Sequence, residues 1–210
     1  KLKTKVQAIQ EKKLTAAGIE GNWLVLADRS GSMEVAIEAS VEITATLARM
    51  VKGRVRWILF DVSPRPIETA GKTLADLKDA VKHVTASGAT SIGVGLQWVL
   101  EHGEVYDGIV IVSDGAENTP PQFAQQYHDA AKAWGKRVLV YWYHVLGDMR
   151  AMVVTTIASQ GLRRDETTIQ YSTRQAEYAR AAEIARFQAS LHAADIDVQR
   201  FDLTGGVDYH

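Results

Sequence analysis

The chain contains no cysteine. That excludes a disulfide scaffold and any thiolate metal centre, and it favours a cytoplasmic setting over an oxidising one. No apolar run approaches the ~20 residues that cross a bilayer, so the chain carries no membrane segment, and no secretory signal is legible. An excess of one charge is also missing. Lys and Arg number 24 against 25 Asp and Glu, a net charge of -1, so no overall field draws the chain to nucleic acid or an anionic membrane. Proline is scarce, with four in 210 residues. What is present suits a globule with a real core: 46% hydrophobic and 23% charged residues, in a length that fits one large domain. The chain opens on lysine, and we expect a segment of a longer protein whose targeting information lies outside it.

Residues 1–21 begin with "KLKTKVQAIQEKKLTAAGIE", read as a helix or linker solvated on one face. From Trp23 the pattern changes. "NWLVLAD", "RVRWILFDV", "GIVIVSD" and "RVLVYWYHV" are apolar runs of strand length, as expected for strands covered on both faces. Between them the periodicity is helical, with Ile37, Val41, Thr44, Ala48 and Val51 on one stripe and Gly53 as the expected stop. "TLADLKDAVKHV", "SIGVGLQWVLEHG" and the stretch after Pro121 also read as helices. Gly93 and Gly95 weaken the second of these and point to close packing against a neighbour. "PRPIET" holds two prolines that cannot donate to a ladder, so it is an edge strand or a loop. Strands thus alternate with helices, which implies right-handed crossovers and a parallel sheet with helices on both faces. Beyond residue 146 we expect a helix over 149–160, a short strand at "TTIQYS", a helix over "QAEYARAAEIARFQASLHAA" and an edge strand at "DIDVQRFDL".

The chemistry gathers where strands end. Asp28, Ser30 and Ser32 follow the first strand at alternate positions, Thr90 lies in "SGATSIGVGL" before a helix, and Asp114 closes "GIVIVSD". In an open parallel sheet such loops share the carboxyl rim, near the switch point of strand order. Two carboxylates and three hydroxyls form a hard-oxygen set suited to Mg²⁺, with Mn²⁺ or Ca²⁺ as substitutes. They leave the ion only partly compensated, open to an acidic group from outside.

These motifs, in this order, resemble the von Willebrand factor type A (vWA) domain with a metal-ion-dependent adhesion site. D-x-S-x-S matches Asp28, Ser30 and Ser32, the threonine loop matches Thr90, and the later aspartate matches Asp114. The resemblance spans about residues 22–205, leaving 206–210 as a tail. It implies a doubly wound, Rossmann-like, mostly parallel sheet of six strands in the order 3-2-1-4-5-6, with one short antiparallel edge strand. It further implies that Ser30, Ser32 and Thr90 ligate the metal, that Asp28 and Asp114 do so directly or through water, and that a protein partner's Asp or Glu completes the shell. A Ro ribonucleoprotein-like relative is the alternative, in which RNA is reached only indirectly through other domains.

Blander readings stand beside these. Ser32 or Thr90 alone would serve as a helix cap, and Asp114 alone as a turn residue; capping needs one oxygen where the first loop offers three. Arg29 is expected to tune charge at the rim, and Asp61 and His144 to make buried structural hydrogen bonds behind it. Glu117 and Asn118 are expected to be surface or turn residues, or supports behind the ligands. The other histidines show no ligand spacing, the tryptophans in apolar segments read as core, and Arg163 and Arg164 as a solvated loop. Enzymatic use of the same rim, as in haloacid-dehalogenase-like phosphotransferases, requires a second aspartate where Ser30 stands. We therefore expect a binding module that is not an enzyme.

Overall fold

The apolar runs form the middle of a single sheet. The computed structural model describes residues 18–31, 33–86, 88–161 and 165–203. In chain order its elements are β1 (Trp23–Asp28), α1 (Glu34–Met50), β2 (Val55–Phe60), β3 (Pro64–Ile67), α2 (Leu74–Val81), α3 (Gly93–Glu101), β4 (Gly108–Ser113), α4 (Phe123–Trp134), β5 (Leu139–His144), α5 (Met149–Ser159), α6 (Glu166–Ala193) and β6 (Val198–Asp202). Among the described residues the sheet has six strands in the order β3-β2-β1-β4-β5-β6. Every neighbouring pair is parallel except β2 with β3. The two prolines of "PRPIET" therefore sit on an outer strand, where a missing N–H leaves no ladder bond unmade. Strand order reverses between β1 and β4, and Asp28 and Asp114 stand at the ends of those two strands.

Alternation along the strands sends side chains to two cores. Val25, Ala27, Trp57, Leu59, Val110 and Val112 meet α1 and α2 through Val41, Ala45 and Leu77. Leu26, Ile58, Ile111, Val140 and Trp142 meet α3, α4 and α6 through Leu96, Phe123, Tyr127, Phe187 and Leu191. The approach of α3 is as close as its glycines suggest. A Cβ on Gly93 would lie 2.4 Å from the Pro121 carbonyl oxygen, and one on Gly95 would lie 2.5 Å from Leu26 Cδ2. No helix among the described residues is long and apolar enough to cross a membrane.

Three local expectations are corrected. "TTIQYS" is not a strand but the first two turns of α6. Asp165 caps this helix, accepting from Thr168 N–H at 2.9 Å and from its hydroxyl at 2.7 Å. Ile169 then packs against Val153 and Ile157 of α5 in a small separate cluster, so tertiary contact overrides the β-branched run. Gly53 is not the glycine that ends α1. The helix stops at Met50 with Val51 extended, and Gly53 is needed for space, since its Cβ would lie 2.3 Å from the Gly21 carbonyl oxygen. Of the tryptophans read as core, Trp57 and Trp142 are buried, whereas Trp98 and Trp134 are only partly buried and pack against the core from outside. The expected helix or linker before residue 18, the Arg163–Arg164 pair and the tail over 206–210 lie outside the described residues.

Candidate metal centre

Asp28 ends β1 fully buried. Its Oδ1 accepts the Ser30 backbone N–H at 2.8 Å, and its Oδ2 accepts the Ser113 hydroxyl at 2.6 Å. The first bond folds the chain sharply after the strand and turns Ser30 back over the carboxylate. The second ties the end of β1 to the end of β4. Ser30 Oγ is buried without a hydrogen-bond partner among the described residues. Ser32 lies outside them.

The threonine loop reaches the same rim from both sides. Gly31 N–H donates to the Gly88 carbonyl at 3.2 Å, joining the β1 loop to the threonine loop. Thr90 is buried, its N–H donates to Asn118 Oδ1 at 3.0 Å, and its carbonyl accepts from the N–H groups of Asn118 and Thr119, each at 3.0 Å. Asp114, also buried, turns Oδ1 to the Ala116 N–H at 2.9 Å. Its Oδ2 lies 3.2 Å from Arg180 Nε of α6, an ion-pair distance without hydrogen-bond alignment. Asp28, Ser30, Thr90 and Asp114 are thus brought together by three loops that are far apart in the chain.

The electrostatics of the rim favour a cation. Burial, and secondly the neighbouring Asp114 carboxylate, push the Asp28 carboxyl up to about 6 against the hydrogen bonds from Ser113 and Ser30. Burial also raises Asp114, opposed first by Arg180 and then by the Ala116 N–H. Two like charges in a poorly solvated place each disfavour the other's ionisation. A divalent ion reverses that penalty, and the buried, unpaired Ser30 hydroxyl is an oxygen that a hard cation satisfies. No three His, Cys, Asp or Glu side chains converge among the described residues, so the donor set is one of mixed hydroxyls and carboxylates. The residues present fit Mg²⁺.

The supporting residues divide. Arg29 Nη2 pairs with Asp61 Oδ2 at 2.7 Å, and Asp61 Oδ1 accepts the Ser63 N–H and hydroxyl at 2.7 and 2.9 Å. The Asp61 carbonyl accepts the Ser91 N–H at 2.8 Å, so this pair braces the rim from β2. His144 Nδ1 lies 3.0 Å from Asp202 Oδ1 and 3.1 Å from Arg200 Nη2, while Nε2 is buried and unpaired among the described residues. Burial first, and then Arg200, lower its pKa and favour neutral imidazole.

Glu117 is neither a surface nor a turn residue. It is buried, and Oε1 accepts the N–H groups of Ile92, Gly93 and Phe123 at 3.0, 3.1 and 2.9 Å. One carboxylate thereby caps the starts of α3 and α4, where backbone donors lack helical partners. Burial nevertheless raises it to about 7. Sequence reasoning missed Ser113 and Arg180. Ser113 is adjacent to Asp114 and could have been suspected from "VSD". Arg180 sits 66 residues downstream of its partner (180 against 114) with no local signal.

Comparison with known proteins places the chain further. The family model described as "VWA domain containing CoxE-like protein" matches residues 15–142. No curated protein matches significantly. A von Willebrand factor type A structure from Catenulispora acidiphila is 18% identical at a TM-score of 0.45, covering 79% of this chain and 42% of that one. The RO (RSR) protein of Deinococcus radiodurans is 18% identical at 0.42, covering 57% of this chain and 26% of that one. The SpRpn10 VWA domain is 9% identical at 0.45, covering 88% and 89%. This chain thus corresponds to about a quarter of the RO protein and under half of the Catenulispora structure.

Proposed function

Because the chain belongs to the family of VWA domain containing CoxE-like proteins, we propose that its rim is a metal-ion-dependent adhesion site. In this reading it is a binding module rather than an enzyme, and it captures a protein partner through an exposed Asp or Glu. Ser30, Ser32 and Thr90 would hold Mg²⁺ by their hydroxyls, with Asp28 and Asp114 bound directly or through water. A bound Mg²⁺ supplies an exchangeable position that an outside carboxylate oxygen can take. The chain's own residues do the rest. Ser113 and the Ser30 N–H orient Asp28, Asn118 holds the threonine loop against the aspartate loop, and the Arg29–Asp61 pair keeps the β2 end of the rim in place.

The observation that supports this reading most is the pairing of two buried carboxylates, Asp28 and Asp114, with a buried Ser30 hydroxyl beside them that makes no well-aligned hydrogen bond among the described residues. A site built only to cap α1 would leave neither. The test is a peptide-display selection in Mg²⁺ eluted with EDTA. Enriched peptides should share an Asp or Glu whose amide replacement abolishes binding. Ser30→Ala should abolish it too, with the urea midpoint of the metal-free domain little changed. Binding that survives both EDTA and Ser30→Ala would overturn the proposal.

A further inference from the structure

Helix α6 carries an apolar stripe of Ile184, Phe187 and Leu191, the last two buried in the main core. Phe187 packs edge-on against Trp142 and Phe123, with ring centroids 5.2 and 6.1 Å away. Extending the stripe one step toward the N-terminus, by four residues, reaches position 180, where an apolar residue is expected. The chain has arginine there, with its side chain only 14% exposed. A guanidinium on the buried face of a helix needs a buried anion, and it finds Asp114 Oδ2 at 3.2 Å, with Glu183 at 4.0 Å along the same helix. Asp114 is one of the two carboxylates assigned to the metal above, so a fixed cation from α6 already contacts the place where a divalent cation is to be compensated.

We propose that Arg180 is an internal counter-ion that competes with the divalent cation for Asp114 and so sets the metal affinity of the rim. This inference rests on the metal-site reading above. The charge count supports it. Asp28 and Asp114 bring two negative charges, and Arg180, which also faces Glu183, offsets at most one of them. What remains is enough to attract a divalent ion, but with less pull than two free carboxylates exert.

The test is titration of the full chain with Mg²⁺ by calorimetry, for wild type, Arg180→Gln, Arg180→Lys and Asp114→Ala. Arg180→Gln should bind at least about tenfold more tightly than wild type, since a unit charge beside a buried site is weakly screened. Arg180→Lys, which keeps the charge, should stay close to wild type, and Asp114→Ala should lose affinity. Equal or weaker binding by Arg180→Gln, with wild type still binding, overturns the competition and leaves the metal site standing. Absence of binding by both wild type and Arg180→Gln overturns the proposed function together with it. Should Arg180→Gln fail to fold, the Arg180 Nε–Hε resonance of the wild-type protein decides. It should move on saturation with Mg²⁺, and an unmoved resonance overturns the competition between Arg180 and the cation for Asp114.

Discussion

Replacing Asp28 with asparagine should stabilise the metal-free domain at neutral pH while abolishing its response to Mg²⁺. Asp28 is fully buried and its carboxyl is held near 6, against an ordinary value of 3.8. Because the folded value lies above the unfolded one, this carboxyl favours the folded chain fully below about pH 4 and loses that contribution as pH rises through 6. At neutral pH the ionised group therefore costs about 3 kcal/mol relative to its neutral form, at ~1.4 kcal/mol for each tenfold change in proton affinity. Asparagine removes the charge yet keeps an oxygen for the Ser30 N–H, while Ser113 Oγ, which already accepts the Gly115 N–H, would take the amide as a second donor and lose the acceptor of its own proton. Allowing about 1 kcal/mol for the weaker hydrogen bonds, the net gain is roughly 1–2 kcal/mol. Urea denaturation in EDTA measures it as a raised midpoint at unchanged slope. With Mg²⁺ at about a hundred times its dissociation constant, wild type should gain about 2.7 kcal/mol and Asp28→Asn close to nothing. A variant that is less stable than wild type in EDTA would show that the buried charge is not destabilising, and one that still gains from Mg²⁺ would show that Asp28 does not hold the ion.

Other consequences can be read from the same geometry. Mg²⁺ affinity should fall about tenfold per pH unit below pH 6, as protons compete for Asp28, and stay nearly flat above pH 7; calorimetry across that range checks the break. Glu117→Ala leaves three N–H groups at the starts of α3 and α4 without their acceptor and should cost about 3 kcal/mol in urea unfolding, whereas Glu117→Gln should cost less than half of that. Gly115→Ala should destabilise by at least about 2 kcal/mol, because Gly115 has φ +79° and a Cβ there would lie 2.4 Å from Trp142 Cζ2. The same change displaces Asp114 and should weaken Mg²⁺ binding in calorimetry.

Most of the framework could be read from the chain because its signals are local. Continuous apolar runs such as "GIVIVSD" have the length and composition of strands buried on both faces, the prolines of "PRPIET" bar it from the sheet interior, and glycines at 93 and 95 announce a close approach that Leu26 and Pro121 supply. Two of the oxygen-bearing loops were legible for the same reason, since Asp28 and Asp114 stand at strand ends that the topology brings to one rim, whereas Thr90 lies between two helices and is tied to that rim by Gly88 and Asn118. What escaped depends on contacts distant in sequence. Ile169 belongs to a helix because Val153 and Ile157 are there to meet it and Asp165 caps the first turn. Glu117 resembles a turn residue until two helix starts converge on it, and Arg180 resembles an ordinary helical arginine until Asp114 faces it.

In the proposed site, hydroxyls and carboxylates from three loops grip one hard cation. The most direct measurement is the anomalous difference map of a crystal grown with Mn²⁺. One strong peak is predicted, about 2.0–2.3 Å from Ser30 Oγ and Thr90 Oγ1, and it should vanish in Asp114→Ala. A map with no peak at that rim, or with its peak at a site lacking Ser30 and Thr90, would mean that these loops do not form a metal site.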